Sequence, residues 1–429
     1  VPERPVGDDE LAGLFGGLAG VGAIGVAVSG GADSTALLLL LHRFAGRLAA
    51  PPRLVVFTVD HALRPGSAAE CEGVVELAGR LGHEAEILRW EHGPLGGERQ
   101  AEARAARYRL IAAAARARGI DRVALAHHRD DQAETFLIRL ARGSDIHGLA
   151  GMRETRTVAG VTFLRPLLGL PKARLVATLG EAKVGFAEDP SNLDPHYLRA
   201  RIRRAMPALE RAGIGPSRLL GVMERCRALA DRIGREVEAL RAEALTAAHG
   251  AARVEGRPFL AADEAVQARF LAELLREVRG ADYTPRLASV RTVRGAVVGA
   301  LSAGAATRRT LGGVVVSVRK GRFLVHAEAG RAGFARHAEA LAGDVVWDHR
   351  WRLAMPGGLP AGAAVAALGA AGRRRLGVEP LHDFPRGAVE ALPALWLGGE
   401  VIAVGGAGAS GAFRELSAEP VSEWLRGSP

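Results

Sequence analysis

The stretch V-A-V-S-G-G-A-D-S, Val26–Ser34, combines residue types that bind anions. Gly30 and Gly31 admit the positive φ and close backbone approach of a tight turn. Ser29 and Ser34 add hydroxyl donors, and Asp33 could hold Mg²⁺ or orient a hydroxyl. An apolar run precedes the turn and an apolar helical pattern follows from Thr35. The backbone N–H groups of Ser29, Gly30, Gly31, Ala32, Asp33 and Ser34 then converge with the positive end of a helix dipole, which makes a phosphate cradle. No G-K-[ST] follows and G-x-G-x-x-G is absent, which excludes a Walker loop and a dinucleotide fingerprint.

Two further polar stretches sit where apolar runs end. In V-D-H-A-L-R-P-G-S, Val59–Ser67, Asp60 could receive a ribose or base amine, and Ser67 is expected to cap the next helix. In H-H-R-D-D-Q-A-E-T, His127–Thr135, residues His127, Asp131 and Glu134 share one helical face. Such a face could bind Mg²⁺ or an ammonium group, and its spacing argues against zinc. The plainer reading makes Asp131 an N-cap with Glu134 as its capping-box partner, which leaves the paired histidines unexplained. Arg104 and Arg107 lie one turn apart and could face phosphates or RNA, whereas Arg116 and Arg118 read as solvated. Ten arginines and three acids (Glu210, Glu224, Asp231) between Arg199 and Arg235 read as a phosphate-tracking surface.

The elements that position these groups alternate. Strands are expected at Ala23–Val28, Leu54–Val59, Glu84–Trp90, Arg122–Ala126 and Val161–Leu164. Helices are expected at Thr35–Leu48, Ser67–Leu81, Glu98–Arg118 and Asp131–Arg142, with another from near Pro171. This is an α/β pattern, a doubly wound parallel sheet with ligands at the strands' C-terminal ends. A helical segment and a smaller α+β C-terminal region follow. There the sequence predicts a helix over Ala261–Arg279, a hairpin over Thr310–Ala327 turning at Lys320-Gly321, and core anchors at Trp347, Trp351 and Trp396. Trp347–Trp351 reads as a packed strand rather than a binding patch, and Gly398–Gly411 suggests no chemistry. At 429 residues, two or three domains are expected.

The chain carries 57 Lys+Arg against 47 Asp+Glu, a formal charge of +10, so a polyanionic partner is expected. Cys71 and Cys226 are too few for a disulfide scaffold or zinc ribbon and fit a reducing cytoplasm. Val1–Glu10 does not read as a signal peptide, and no apolar stretch is long enough for a bilayer, so no membrane partner is expected.

S-G-G-x-D-S resembles the pyrophosphate loop of the N-type ATP pyrophosphatases. That loop, V-D-H-A-L-R, A-R-A-A-R-Y, H-H-R-D-D-Q-A-E-T, R-G-S-D-I-H-G-L-A-G-M and E-D-P-S-N (Glu188–Asn192) occur in this order. Together they are similar to the bacterial tRNA(Ile)-lysidine synthetases, from about Gly25 to Leu209. The family's R-N-x-x-R becomes Arg199-Ala200-Arg201-Ile202-Arg203, which keeps the arginines and replaces the asparagine by alanine.

The resemblance implies a catalytic domain over 1–210, an arginine-rich helical tRNA-binding region over 211–300 and an α+β domain over 301–429. It implies ligation of free L-lysine to the wobble cytidine of tRNA(Ile) with a CAU anticodon. ATP and Mg²⁺ are consumed or used as cofactors, through an adenylated cytidine. By carry-over, Asp33, Arg107, Asp131 and Glu134 are catalytic. Ser29–Ser34, Asp60 and His127 bind ATP, Arg104, Asp131, Glu134, Arg199 and Arg203 bind lysine or tRNA, and Asp33 binds Mg²⁺. The oligomeric state stays open, a homodimer included. The rivals are a 2-thiolating relative, which needs cysteine pairs not present here, an ammonia-using ATP pyrophosphatase, and a catalytically silent RNA-binding protein.

Overall fold

The computed structural model describes residues 3–61, 66–91, 99–187, 196, 198–281, 283–328, 333–334, 336, 343–355, 359, 361–375, 386–405 and 414–421. Two compact units divide the chain, Val1–Ala228 and Leu229–Pro429. Among the described residues no helix is long and apolar enough to cross a membrane.

In the first unit, α1 (Leu11–Phe15) precedes β1 (Ala23–Ala27), α2 (Ala32–Ala45), β2 (Arg53–Asp60), α3 (Ser67–Arg80) and β3 (Glu84–Arg89). Then come α4 (Arg99–Ala117), β4 (Arg122–Ala124), α5 (Arg129–Ala141), α6 (Ile146–Leu149), β5 (Thr155–Val158) and β6 (Val161–Leu164). α7 (Lys172–Glu181) and α8 (Leu198–Arg211) follow, and α9 (Pro216–Ala244) begins in this unit and continues past Ala228 into the second. The sheet order is β3-β2-β1-β4-β6-β5. All pairings are parallel except β5–β6, a hairpin through Ala159 and Gly160, both at positive φ. The sequence reading did not include β5, whose T-R-T-V is short and largely exposed.

Alternate strand residues feed two cores, as the pleat requires. Ile24, Val26, Leu54 and Val56 pack with α2, α3 and α7. Val55, Phe57, Val123 and Phe163 pack with Tyr108, Ile111, Ala112 and Ala115 of α4. Helices therefore cover both faces, which explains the continuous apolar runs. Leu37, Leu38, Leu40 and Leu41 of α2 are fully buried, each contributing about 1.5–3 kcal/mol of transfer free energy. At Gly25 a Cβ would stand 2.8 Å from Val123 Cγ2 and 2.9 Å from Phe57 Cε2, so glycine lets the sheet centre close.

The chain winds from β1 to β2 and β3 on one side, then places β4 on the other side of β1, with Gly25 opposite Val123 and Val26 opposite Ala124. A crevice opens at such a reversal, outside the strands' C-terminal ends. The loops after β1 and β4 are its two walls.

In the second unit, β7 (Leu245–Ala248), β8 (Ala251–Glu255), β9 (Thr307–Leu311), β10 (Val314–Arg319) and β11 (Arg322–Ala327) form an antiparallel sheet in the order β7-β8-β11-β10-β9. Between β8 and β9 lie α10 (Gly256–Ala261), α11 (Glu264–Arg279) and α12 (Leu287–Ser302). The β10–β11 turn at Lys320 and Gly321 has both residues at positive φ, as the hairpin required. A second sheet combines β12 (Gly343–Trp347), β13 (Trp351–Met355), β14 (Ala364–Ala367), β15 (Pro393–Leu397), β16 (Glu400–Gly405) and β17 (Arg414–Pro420), with α13 (Gly369–Arg375) and α14 (Arg386–Glu390) between β14 and β15. Trp347 and Trp351 are core residues, while Trp396 packs against that core only partly buried. Arg350 lies buried over the Trp347 ring, its Nε donating to Asp348 Oδ2 at 2.7 Å. The stretch is packed, but as the turn of a hairpin and not as the single strand expected: β12 ends at Trp347, β13 starts at Trp351, and Asp348 and His349 between them sit at positive φ.

Candidate active site

The turn after β1 is held by its own hydroxyls. Ser29 N–H donates to Ser34 Oγ (3.1 Å), Ser34 Oγ donates to Gly31 O (3.1 Å), and Thr35 Oγ1 donates to Gly30 O (3.3 Å). Gly30 sits at φ +83 with its nearest prospective Cβ neighbour at 3.5 Å, so conformation rather than space demands glycine. Gly31 is the N-cap of α2, which starts at Ala32, earlier than the Thr35 expected from the apolar pattern. Ala32, Asp33 and Ser34 thus fall in the first helical turn, whose amides have no intrahelical acceptors. Ala187 N–H donates to Gly30 O at 2.9 Å and ties a distant segment to the same turn.

The turn after β4 brings His128 against Asp33. His128 is 1% exposed, with Nε2 3.4 Å from Asp33 Oδ2 and 3.5 Å from Asp131 Oδ2, and Nδ1 3.5 Å from Asp130 Oδ2. Burial opposes a charge on the ring, but hydrogen bonding to Asp130 and Asp33 and the field of Asp131 outweigh it, raising its pKa to about 9. A cationic ring cannot accept the 3.4 Å contact from Asp131 N–H, so the helix is capped by the reciprocal bond, His128 N–H to Asp131 Oδ2 at 3.2 Å. Burial pushes the Asp33 carboxyl up, and His128 and Lys172 override it to hold it below the ordinary range. Lys172 Nζ lies 3.5 Å from Asp33 Oδ2, and Lys172 N–H donates to Asp130 Oδ2 at 2.7 Å.

The plainer alternative for Asp131 does not hold: it is not the N-cap of α5, since α5 begins at Arg129 and His128 takes the N-cap position. Ser67 is not a cap either, since Gly66 takes that position and Ser67 Oγ instead donates to Asp60 Oδ1 at 2.7 Å.

Glu134 and Asp131 are both buried and both face α8. Arg199 Nη2 donates to Asp131 Oδ1 at 2.7 Å and Arg199 Nε to Glu134 Oε2 at 2.5 Å. Arg203 Nε donates to Glu134 Oε1, and its Nη2 to Oε2 at 3.2 Å. Burial lowers the Arg203 pKa, but Glu134 and Asp131 raise it further, so that guanidinium is firmly cationic. One chain of charges therefore runs from Asp33 through His128 and Asp131 to Arg199.

Arg104 and Arg107 lie beside it on α4. Arg104 Nη2 meets His127 Nε2 at 3.4 Å, and Arg107 meets His61 Nε2 through Nε (3.2 Å) and Nη2 (3.0 Å). Burial drives His127 down to about 3, aided by Arg104, Arg165 and Arg199 against the pull of Asp131, so its ring is neutral. Asp60, at the tip of β2, is 4% exposed and keeps an ion-pair contact to Arg89 at 3.9 Å. The basic stretch divides: Arg199 and Arg203 turn to the acids, and Arg227 holds the carbonyls of Ala150 and Met152. Arg218, Arg225 and Arg232 stay exposed on α9.

The donor set fits a hard cation at Asp33. Its Oδ1 is buried and meets no hydrogen-bond partner among the described residues. A single carboxylate oxygen of that kind suits an ion that completes its shell with water and phosphate. Both cysteines are free, and Cys71 is buried where burial pushes its thiol pKa up. A cavity of about 500 Å³ lined by His42, Arg53, His83 and Glu84 lies at the strands' opposite ends and contains none of these groups.

The sequence reading had placed Asp33, His127, Asp131, Glu134, Arg199 and Arg203 at the site, and it missed His61, His128, Asp130 and Lys172. The histidine pair pointed to His128. The other signal was composition: among 57 basic residues there are three lysines, Lys172, Lys183 and Lys320. Glu188–Asn192, the R-P of the second loop, Glu98 and Gly406–Gly411 lie outside the described residues.

The PP-loop domain family matches residues 10–209. A tRNA(Ile)-lysidine synthase of Methylobacterium sp. (strain 4-46) is 40% identical over 338 residues, 76% of this chain and 96% of the relative. One from Rhodopseudomonas palustris is 42% identical over 328 residues, covering 73% and 93%. One from Ruegeria pomeroyi is 36% identical over 406 residues, covering 92% and 91%. The match thus runs well beyond the parallel sheet into the second unit, and the chain belongs to the tRNA(Ile)-lysidine synthase family.

Proposed function

We propose that this chain joins free L-lysine to C2 of the wobble cytidine of tRNA(Ile), using ATP and releasing AMP and pyrophosphate. The observation that carries the reading is the unbroken contact from the phosphate-type turn, through His128, to the acids on α5. A nucleotide site and an ammonium site are held in one crevice, in a chain of this family.

In the first step the cytosine O2 attacks the α-phosphorus of ATP, and the bond from that phosphorus to the bridging oxygen breaks. Pyrophosphate leaves with the electron pair, and no proton moves. The first-turn amides at Ala32–Ser34 and the Ser29 and Ser34 hydroxyls receive phosphate charge without reorganising. Asp33 would hold Mg²⁺ through its buried Oδ1, and the ion would neutralise charge on the departing pyrophosphate. Neutral His127 and Arg104 flank the nucleotide, and Asp60, already bonded to Ser67 Oγ, stands at the tip of β2 on the ribose or base side.

In the second step the lysine ε-amine attacks C2, the bond from C2 to the AMP oxygen breaks, and AMP leaves. Asp131 and Glu134 orient the incoming ammonium group. Arg199 and Arg203, already on those carboxylates, place like charges beside it and lower its pKa, favouring the free amine. The amine's proton passes to a carboxylate of that pair. Arg107 balances charge on the base adduct. The cytidine must leave the anticodon stack to reach the crevice, as single-stranded RNA recognition generally requires. The exposed arginines of α9 offer phosphate contacts for the tRNA.

Mass analysis of tRNA(Ile) incubated with the protein, ATP and lysine tests the reading. A lysine-containing nucleoside in place of the wobble cytidine is expected. Unmodified tRNA, with no AMP formed, would refute it.

A further inference from the structure

We propose that Gln132 is a positioning residue for the lysine end of the site: it fixes the back of α5, so that Asp131 and Glu134 keep their places when lysine arrives. The proposal rests on the lysidine-forming reading above and adds to it what holds the acid pair still.

The acids are anchored by Arg199 and Arg203, and an incoming ammonium group must share those same carboxylate oxygens. As these ion pairs loosen, α5 needs an anchor that does not pass through the acids. Gln132 lies about 160° around the helix from Glu134, so the two side chains leave opposite faces. It is 3% exposed, and one residue engages both ends of its amide. Gln132 Nε2 donates to Met152 O at 2.9 Å, and Met152 N–H donates to Gln132 Oε1 at 2.7 Å. The amide thus imitates a neighbouring strand, with a reciprocal pair of bonds to one main chain.

Met152 is itself held from the other side. Arg227 Nη2, on α9, donates to Met152 O at 3.1 Å and to Ala150 O at 3.2 Å. Seven residues along the same face of α5, Arg139 Nη1 donates to Gly148 O at 2.6 Å and to Gly151 O at 2.9 Å. Gly151 sits at φ +74, where a Cβ would collide with Met223 Cε and stand 2.7 Å from Gln132 Oε1. Side chains of α5 and α9 therefore take four carbonyls of segment 148–152, and Ala133, Phe136, Leu219 and Met223 pack those two helices together. The nucleotide end of α5 has separate ties: Lys172 N–H donates to Asp130 Oδ2, and Arg129 N–H donates to Leu170 O. Loss of the Gln132 bonds accordingly acts on the lysine step and spares adenylation.

The test uses the full chain and reads the two steps apart. Gln132→Met should raise the lysine KM about tenfold or more, because a small displacement of the acids misaligns the ammonium group. Single-turnover pyrophosphate release from ATP and tRNA, without lysine, should stay within about twofold. Arg227→Met leaves Met152 its two bonds to Gln132 and should raise the lysine KM by a smaller factor, which Arg227→Lys should partly reverse. The double variant should match Gln132→Met alone, since Arg227 reaches α5 through the same carbonyl. A lysine KM unchanged in both single variants would overturn the proposal. So would a loss of pyrophosphate release equal to the rise in KM, which marks Gln132 as packing alone. Arg227→Met keeps the test decisive if Gln132→Met does not fold. An unaltered chain that releases no pyrophosphate with tRNA would instead refute the broader reading.

Discussion

His128 Nε2 lies 3.4 Å from Asp33 Oδ2, joining the turn after β1 to the helix that follows β4. One imidazolium thereby answers carboxylates from both walls of the crevice, since Asp130 and Asp131 flank the same ring at 3.5 Å. Its removal leaves three carboxylates clustered around a hole. The cost sits at the low end for a broken buried pair, about 3 kcal/mol, because Asp33 and Asp130 keep 29% and 31% exposure. His128→Ala should show that loss in chemical unfolding and lose AMP formation. A change under about 1 kcal/mol would mean that the cluster is relieved by water.

Glu134 is matched by two guanidinium groups, and the proposed function assigns it to the lysine end of the site. Glu134→Gln should raise the lysine KM by about tenfold or more while leaving the ATP KM within about twofold. Steady-state kinetics with each substrate varied in turn decides. A parallel rise in both KM values would contradict the division of the crevice into two subsites.

The arginines on the open side of α9 are expected to follow the tRNA backbone. Replacing Arg218, Arg225 and Arg232 together by alanine should weaken tRNA binding and reduce the slope of log K against log salt by about 2. An unchanged slope would mark these residues as solvated surface.

In the first turn of α7, Arg174 holds Glu10 through Nη1 (2.9 Å) and Nη2 (2.6 Å). Those bonds, with the Gly7 N–H, lower the Glu10 pKa from 4.5 to about 2. A folded pKa below the unfolded one means that the stabilisation is complete above about pH 4.5 and fades as the pH falls toward 2. Glu10 is partly exposed, so about 1 kcal/mol is the proper scale, or about 2–4 °C in Tm. Glu10→Gln should lower Tm by that amount at pH 7 and leave it unchanged near pH 2.

The parallel sheet and the phosphate turn were legible because their signals are local. Apolar runs such as Leu54–Val59 end in polar loops, and Gly30 needs a positive φ that its neighbours in sequence announce. β5 and the β7–β8 hairpin were not legible. T-R-T-V carries little apolar alternation, and Leu245–Ala248 continues the composition of the helix before it. At the site, the acids and arginines were visible as residue types but their partnerships were not. Asp131 meets Arg199 across 68 residues of sequence, and Lys172 meets Asp33 across about twice that gap. Spacing along the chain carries no record of either contact. The alternative cap at Asp131 fails for a related reason: a histidine takes the N-cap place usually held by a short polar side chain.

The account stands on Asp33 acting on the nucleotide and not on the tRNA. The most direct measurement is AMP formation by Asp33→Ala beside its tRNA affinity, taken in one buffer at one salt concentration. AMP formation should be abolished while tRNA binding stays within about twofold of the unaltered chain. Equal loss of both, or AMP formed at the normal rate, would contradict a nucleotide site at the turn after β1.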